Sequence, residues 1–197
     1  MKKGYSKALN MEYLTVGYSV LEAVLAIIAG VMSGSIALLG FGLDSVAESI
    51  SGIVLIWRIK RQSTISSQKE EDEVEKKAIK LVGISFIILG FYVFYETIKM
   101  IILFSIPDPS LLGIIIAIFG IIFMPVISYI KYNLGDNLGL DSLKADAKET
   151  LVCSLLSFAL LAGLIANYFF GFWFVDPIVS FLIVGFLLKE GFELIGD

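Results

Sequence analysis

The chain has 197 residues, 57% of them hydrophobic and only 17% charged, with a formal net charge of −4 and a mean hydropathy of +0.89. Soluble domains usually hold about 45–50% apolar residues, so this balance excludes a disordered segment and a nucleic-acid-binding module. One cysteine excludes an internal disulfide framework, and four prolines exclude a Pro-rich low-complexity tail. The apolar residues fall into six blocks that fill nearly the whole length, and a membrane span needs about 20 of them. The fold class expected is all-α: a polytopic membrane protein with six transmembrane helices.

The first block runs over 14–32 and ends at Ser33-Gly34-Ser35. The second covers 36–57 and stops at Arg58-Ile59-Lys60-Arg61. A polar stretch follows, in which Glu70, Glu71, Asp72, Glu73 and Glu75 alternate with Lys69, Lys76 and Lys77; a mixed run of this kind reads as a solvated helix start or loop. The third block, 78–104, closes at Ile106-Pro107-Asp108-Pro109. The fourth, 111–130, stops at Lys131. The fifth, 141–170, begins amphipathically and turns apolar from Leu151, and the sixth, 174–188, ends in Lys189. Residues 1–197 thus read as one transmembrane domain with a cytoplasmic loop at 58–77 and no cytosolic domain after the sixth helix. The Met1-Lys2-Lys3 start is not read as a signal peptide, because its apolar stretch exceeds the usual core of about 7–15 residues and leads straight into another span.

Basic residues cluster before helix 1 (Lys2, Lys3, Lys7), between helices 2 and 3 (Arg58 to Lys80), between helices 4 and 5 (Lys131, Lys144, Lys148) and after helix 6 (Lys189), whereas Lys99 alone falls toward the other side. Basic loops stay inside, so both termini are expected in the cytoplasm of a cell-membrane protein.

Acids within or beside the spans are Glu22, Asp44, Glu48, Glu96, Asp146, Glu149 and Asp176. A charge at the bilayer centre costs at least about 2.5–3.5 kcal/mol, which makes each a functional suspect. Asp176 before Pro177 is expected to cap helix 6, Glu96 to pair with Lys99, and Asp146 to lie within reach of water near the cytoplasmic edge. Asp44 and Glu48 are different. They stand at i and i+4 on one face of helix 2, about 12 Å from its outer end, with no basic residue nearby in that span. Two such carboxylates repel unless a cation binds between them.

Helix 5 carries a matching pair, Glu149 and Cys153. A short repeat relates the two helices: Leu38-x-Gly40-x-Gly42-x-Asp44-x-x-x-Glu48 reads against Leu143-x-Ala145-x-Ala147-x-Glu149-x-x-x-Cys153, extended by Ser49 and Ser154. The expected topology makes the copies antiparallel, as in inverted-repeat transporters, and the small residues would let the two helices approach closely. Four side chains from two helices suit a tetrahedral ion such as Zn²⁺. Three carboxylates alone would favour Mn²⁺ or Fe²⁺, and a buried cysteine is as readily a small apolar filler as a ligand.

At these residues the sequence resembles the cation diffusion facilitator family. Ser33-Gly34-Ser35-Ile36-Ala37-Leu38-Leu39 resembles that family's helix 1–2 turn, Leu143-Lys144-Ala145-Asp146-Ala147 the start of its helix 5, and Asp176-Pro177 the start of its helix 6. The resemblance implies a six-helix metal-ion/proton antiporter whose metal site is built from paired residues on helices 2 and 5, here Asp44, Glu48, Glu149 and Cys153. Histidine, usual in the family's zinc sites, is absent; Glu48 and Cys153 stand where Asp is expected. The Gly40 to Asp44 run and Lys148-Glu149 are more like a divergent vertebrate zinc-efflux branch.

The function expected is secondary export of a divalent metal cation, Zn²⁺ foremost, against protons, with alternating access. Glu22 and Asp146 are candidates for an accessory ligand or the proton path. No cofactor is expected beyond the transported ion. The expected partners are that ion, protons and the lipid bilayer, with no nucleic acid, and a homodimer is left open. A carrier of another cationic solute is the alternative. Gly40-x-Gly42-x-Asp44 has one residue more than the Gly-x-Gly-Asp signature of intramembrane aspartyl proteases, and no second acid sits in a Tyr-Asp context. An enzyme is therefore not expected.

Overall fold

In hydrocarbon a chain can satisfy its backbone only within helices or a closed barrel, and apolar runs of twenty or more residues select the helix. The computed structural model describes residues 2–61 and 68–196. Six helices account for nearly all of them: α1 (Lys2–Ser33), α2 (Ile36–Arg61), α3 (Gln68–Leu103), α4 (Leu111–Leu138), α5 (Asp141–Phe170) and α6 (Val175–Gly196). Most run past the apolar blocks that mark them. The acidic run from Glu70 to Glu75 lies on the first turns of α3, not in a loop; its side chains and residues 62–67 fall outside the described residues.

Five helices contain segments long and apolar enough to cross a membrane: Gly4–Ser33, Ile36–Lys60, Phe86–Leu103, Leu111–Leu138 and Asp146–Phe170. The sixth helix, with Asp176, Lys189, Glu190 and Glu193 among its 22 residues, is not one of them.

The helices pack chiefly in pairs, α1 with α2, α4 with α5, and α3 with α6. Contacts between α1 and α4 and between α2 and α5 join the first two pairs into a four-helix group, and α2 and α5 also touch α6. Gly34, at φ 68°, makes the tight turn from α1 to α2, a left-handed conformation that glycine adopts without a steric penalty. The pair is drawn close by Gly30 and Gly42. A Cβ on Gly30 would lie 2.7 Å from the Leu39 backbone nitrogen, and one on Gly42 would lie 2.9 Å from that of Ile27. The small residues of the helix 2 repeat therefore do not face α5. Gly42 meets α1, and Gly40 meets Val93 of α3 and Ile183 of α6.

Polarity is distributed the reverse of a soluble domain. Ile88, Phe91, Tyr95, Ile102, Phe119 and Phe158 are exposed, whereas Glu12, Ser19, Glu22, Asp44, Glu48, Lys131, Asp146 and Thr150 are buried. One apolar core, with Leu38, Phe41, Ala47, Phe86, Leu160 and Ile183, runs from the α1–α2 turn well down the bundle. A smaller one, Ala8, Leu55, Ile59, Leu140 and Leu143, fills the opposite end.

Asp176 departs from expectation. It sits inside the first turn of α6 and reaches across to cap α2 rather than its own helix. The Ser35 hydroxyl donates to its Oδ1, and the Ala37 backbone N–H donates to its Oδ2 at 3.1 Å. Ser35 Oγ in turn accepts from the Leu38 N–H at 3.1 Å, so a serine cap is held from outside by a carboxylate on another helix. Glu96 and Lys99 do pair, at 3.2 Å on the exposed side of α3. Replacing a capping Asp by Ala removes about 1–2 kcal/mol; Asp176→Ala is expected to lower the thermal unfolding midpoint in detergent, and an unchanged midpoint would remove it from the cap.

Candidate cation site

The buried polar groups form three successive layers across the four-helix group. The first, nearest the amino end of α1, is ionic. Lys131 of α4 is 0% exposed; its ammonium lies 3.2 Å from Glu12 Oε1 of α1 and pairs more tightly with Asp146 Oδ2 of α5. Ser51 of α2 donates to the other Asp146 oxygen at 3.3 Å. All four helices thus meet at one charge cluster. Asp146, expected within reach of water, is only 6% exposed, and α4 runs on past the apolar block that stops at Lys131. That helix continues to Leu138 and ends at Gly139 in the left-handed conformation.

Glu48 forms the second layer. Ser19 of α1 donates to Oε2 at 2.9 Å, and Thr150 of α5 donates to Oε1 at 2.9 Å. The single Thr150 hydroxyl proton is shared with the Asp146 carbonyl, 3.1 Å away, which places this layer one turn from the ionic one. Both Glu48 oxygens are therefore engaged by hydroxyls, and the bare carboxylate pair expected on helix 2 does not exist as such. Helix α2 supplies two acids, but the neighbouring helices supply donors to one of them.

In the third layer the buried Cys153 side chain of α5 lies beside Asp44 of α2, and Asp44 Oδ1 is buried with no hydrogen-bond partner among the described residues. Glu22 accepts from Tyr18 at 2.9 Å and from Ser45 at 3.0 Å, so both its oxygens are satisfied within α1 and α2. Glu149 lies to one side. Its Oε1 is also buried without a hydrogen-bond partner among the described residues, and the residue lines a cavity of about 370 Å³ together with Tyr132, Lys144, Lys148, Val152, Phe186 and Glu190.

The structure therefore joins Asp44 to Cys153 but does not gather the four expected ligands around one point. No group of three or more acidic or cysteine side chains among the described residues is placed to hold a metal ion. Outside the ionic layer, where Glu12 Oε2 also lacks a partner, two carboxylate oxygens stand open among the described residues, Asp44 Oδ1 and Glu149 Oε1. Such oxygens are what a hard or borderline cation binds.

Sequence reasoning missed Glu12 and Lys131, and it missed the hydroxyl partners Ser19 and Thr150. One signal for Lys131 was present: the helix-stopping glycine comes at 139, a full two turns after the lysine, so the basic residue had to lie inside the helix.

A family model for the cation efflux transmembrane domain matches residues 14–197. The chain belongs to the cation efflux family. It is 24% identical over 192 aligned residues to transmembrane protein 163 of Xenopus laevis, covering 97% of this chain and 67% of that protein. It is 25% identical over 197 aligned residues to a cadmium, cobalt and zinc/H⁺-K⁺ antiporter of Bacillus velezensis, and 22% identical to the protein of the same name from Bacillus subtilis. Here the chain spans 61% of each relative's length. Cation efflux proteins are transporters, not enzymes, which disposes of the protease comparison. With five apolar spans, this member of the family is an integral multi-pass membrane protein.

Removing one partner from a buried ion cluster leaves the others uncompensated, at about 3–5 kcal/mol. Lys131→Met should therefore unfold well below the wild type in detergent, because Glu12 and Asp146 would then face one another alone. A variant as stable as the wild type would show that the ammonium is not paired in the membrane.

Proposed function

We propose that this chain is a secondary transporter that exports a divalent metal cation, Zn²⁺ foremost, in exchange for protons, through six spans with both termini in the cytoplasm. The observation that carries this reading is the pair of buried carboxylate oxygens, Asp44 Oδ1 and Glu149 Oε1, that lack hydrogen-bond partners among the described residues. Glu22, Glu48 and Asp146 have partners at both carboxylate oxygens, and Glu12, whose Oε2 also lacks a donor, is held by Lys131 through Oε1. Leaving a carboxylate unsatisfied away from water is costly, and a protein that keeps two such groups has a use for their lone pairs.

The proposed ligands are Asp44, Glu48, Glu149 and Cys153. Asp44 and Cys153 are already in contact. A metal ion replacing the thiol proton would take both, and Glu48 would join by giving up a hydroxyl. Glu149 reaches the ion from the side of the cavity between α4, α5 and α6, and the cation arrives from the cytoplasmic side. Deprotonated carboxylates bind the cation on that side; protons arriving from outside displace it, and rocking of helices exchanges the two states. The names of the Bacillus relatives, which include zinc and protons, support this assignment. So does the placement of basic residues before α1, after α2 and around the α4–α5 turn, which marks the cytoplasmic side. The sixth span is α6, whose apolar stretch lies between Asp176 and Lys189. A thiolate and a small ligand number favour Zn²⁺ over the oxygen-preferring Mn²⁺, as does the general affinity order.

In proteoliposomes, Asp44→Ala and Glu149→Ala are each expected to abolish Zn²⁺ flux while the protein remains inserted and monodisperse. Flux at the wild-type level in either variant would remove that residue from the site. Flux insensitive to the external pH would replace antiport by uniport. Metal identity has its own test: Cys153→Ser should depress Zn²⁺ and Cd²⁺ transport far more than Mn²⁺ transport. A selectivity profile unchanged by that substitution would assign Cys153 to packing and favour a hard ion as substrate.

A further inference from the structure

Binding of a cation by Asp44 and Glu149 makes no use of Lys131, the one fully buried basic side chain among the described residues. Its surroundings have three features that a mere helix staple does not require. First, the cluster crosses the whole four-helix group at a single level. Glu12, Lys131 and Asp146 come from α1, α4 and α5, α2 joins through Ser51, and a Cβ on Gly52 would lie 3.6 Å from Glu12 Oε2. Second, this level lies between the amino end of α1 and the cation-binding groups. Asp146 precedes Cys153 on α5 by two turns, about 10 Å at the helical rise, with the Glu48–Thr150 contact in between. On the other side of the cluster the helices are closed by Ala8, Leu55, Ile59, Leu140 and Leu143. Third, two carboxylates share one ammonium, so with both ionised the layer keeps an uncompensated negative charge.

We propose that the Glu12–Lys131–Asp146 cluster is a lock that closes the cytoplasmic end of the four-helix group, and that Lys131 must release Asp146 before water or a cation can reach Asp44 and Cys153 from that end. The assignment of the end as cytoplasmic, and of the passage as a transport path, rests on the function proposed above. An ammonium suits this task because it is a compact charge on a flexible stem with rotatable donors. It can stay on Glu12 while an incoming cation takes Asp146, so the cluster opens without leaving a bare charge behind. The release also frees α5 to move, because Asp146 is where α5 is tied to α4 and, through Ser51, to α2. In this reading Lys131 is a positioning residue: it touches no transported ion and acts through Asp146.

Cys153 is the only cysteine in the chain, and it is buried at the level the lock protects, so the native protein carries its own reporter. Full-length protein in metal-free vesicles of both orientations is treated with a membrane-impermeant maleimide. The wild type is expected to label slowly from either face. The neutral, nearly isosteric triple variant E12Q/K131M/D146N should label about tenfold faster or more, and from the cytoplasmic face alone. E12Q by itself, which keeps the Lys131–Asp146 pair, should give a smaller increase on the same face, and it decides the matter if the triple variant is not recovered folded. Labelling at the wild-type rate in these variants overturns the lock, as does acceleration from both faces, which a general loosening of the bundle produces. The labelling requires no transported ion. Face-specific acceleration together with absence of metal flux in the wild type would therefore leave the lock standing and overturn the transport reading alone.

Discussion

Burying a lysine among helices that face lipid sets the terms for everything packed around it. An ammonium in hydrocarbon must be paired or reach water, and Lys131, two turns before the end of α4, does not reach water. Acids from two other helices have to meet it. Glu12 fixes how far α1 slides along α4, and Asp146 fixes α5 against both. Apolar surfaces can slip past one another at little cost in lipid, because the lipid tails are as apolar as the side chains. A three-membered ion cluster cannot slip, since a displacement of one turn strips the charges of their partners.

Once that level is set, the layers above it follow from the helical repeat. Thr150 lies one turn beyond Asp146 and meets Glu48. Cys153 lies a further turn on and meets Asp44. On α1, Ser19 and Glu22 face α2 at corresponding heights. The hydroxyls orient carboxylates much as outer-shell partners orient metal ligands. Asp44 Oδ1 and Glu149 Oε1 receive no such hydroxyl, and it is on these oxygens that the proposed cation site is built. The acids on helices 2 and 5 thus differ in what their neighbours donate, not in residue type.

The α3–α6 pair stands somewhat apart. It is joined to α2 at one end by Asp176, which caps α2 from α6, and elsewhere by apolar contacts such as Gly40 against Val93 and Ile183. A polar anchor at one end and greasy contacts along the rest is an arrangement that permits pivoting about the anchored end. The ion cluster at the opposite end of the four-helix group is the other fixed point.

Several properties were legible in the sequence because they depend on residues in one helix at a time. Apolar blocks of span length specify helices, since no other structure buries that backbone in lipid, and the positions of Asp44, Glu48, Glu149 and Cys153 along those blocks specify their depth. Family membership was legible for the same reason, being carried by local runs such as Ser33 to Leu39 and Leu143 to Ala147. What the tertiary structure decided is which groups on different helices face one another. In the sequence Glu12 lies ahead of the first apolar block and Lys131 directly after the fourth; only the packing of α1 against α4 and α5 shows that each is the other's reason for being buried. Asp176 likewise read as a cap for its own helix, and the approach of α6 to α2 gave it a different one. A carboxylate's partner is set by rotation and register between helices, which a difference of one residue would change, and a single strand of sequence does not encode that register except through the assembled whole.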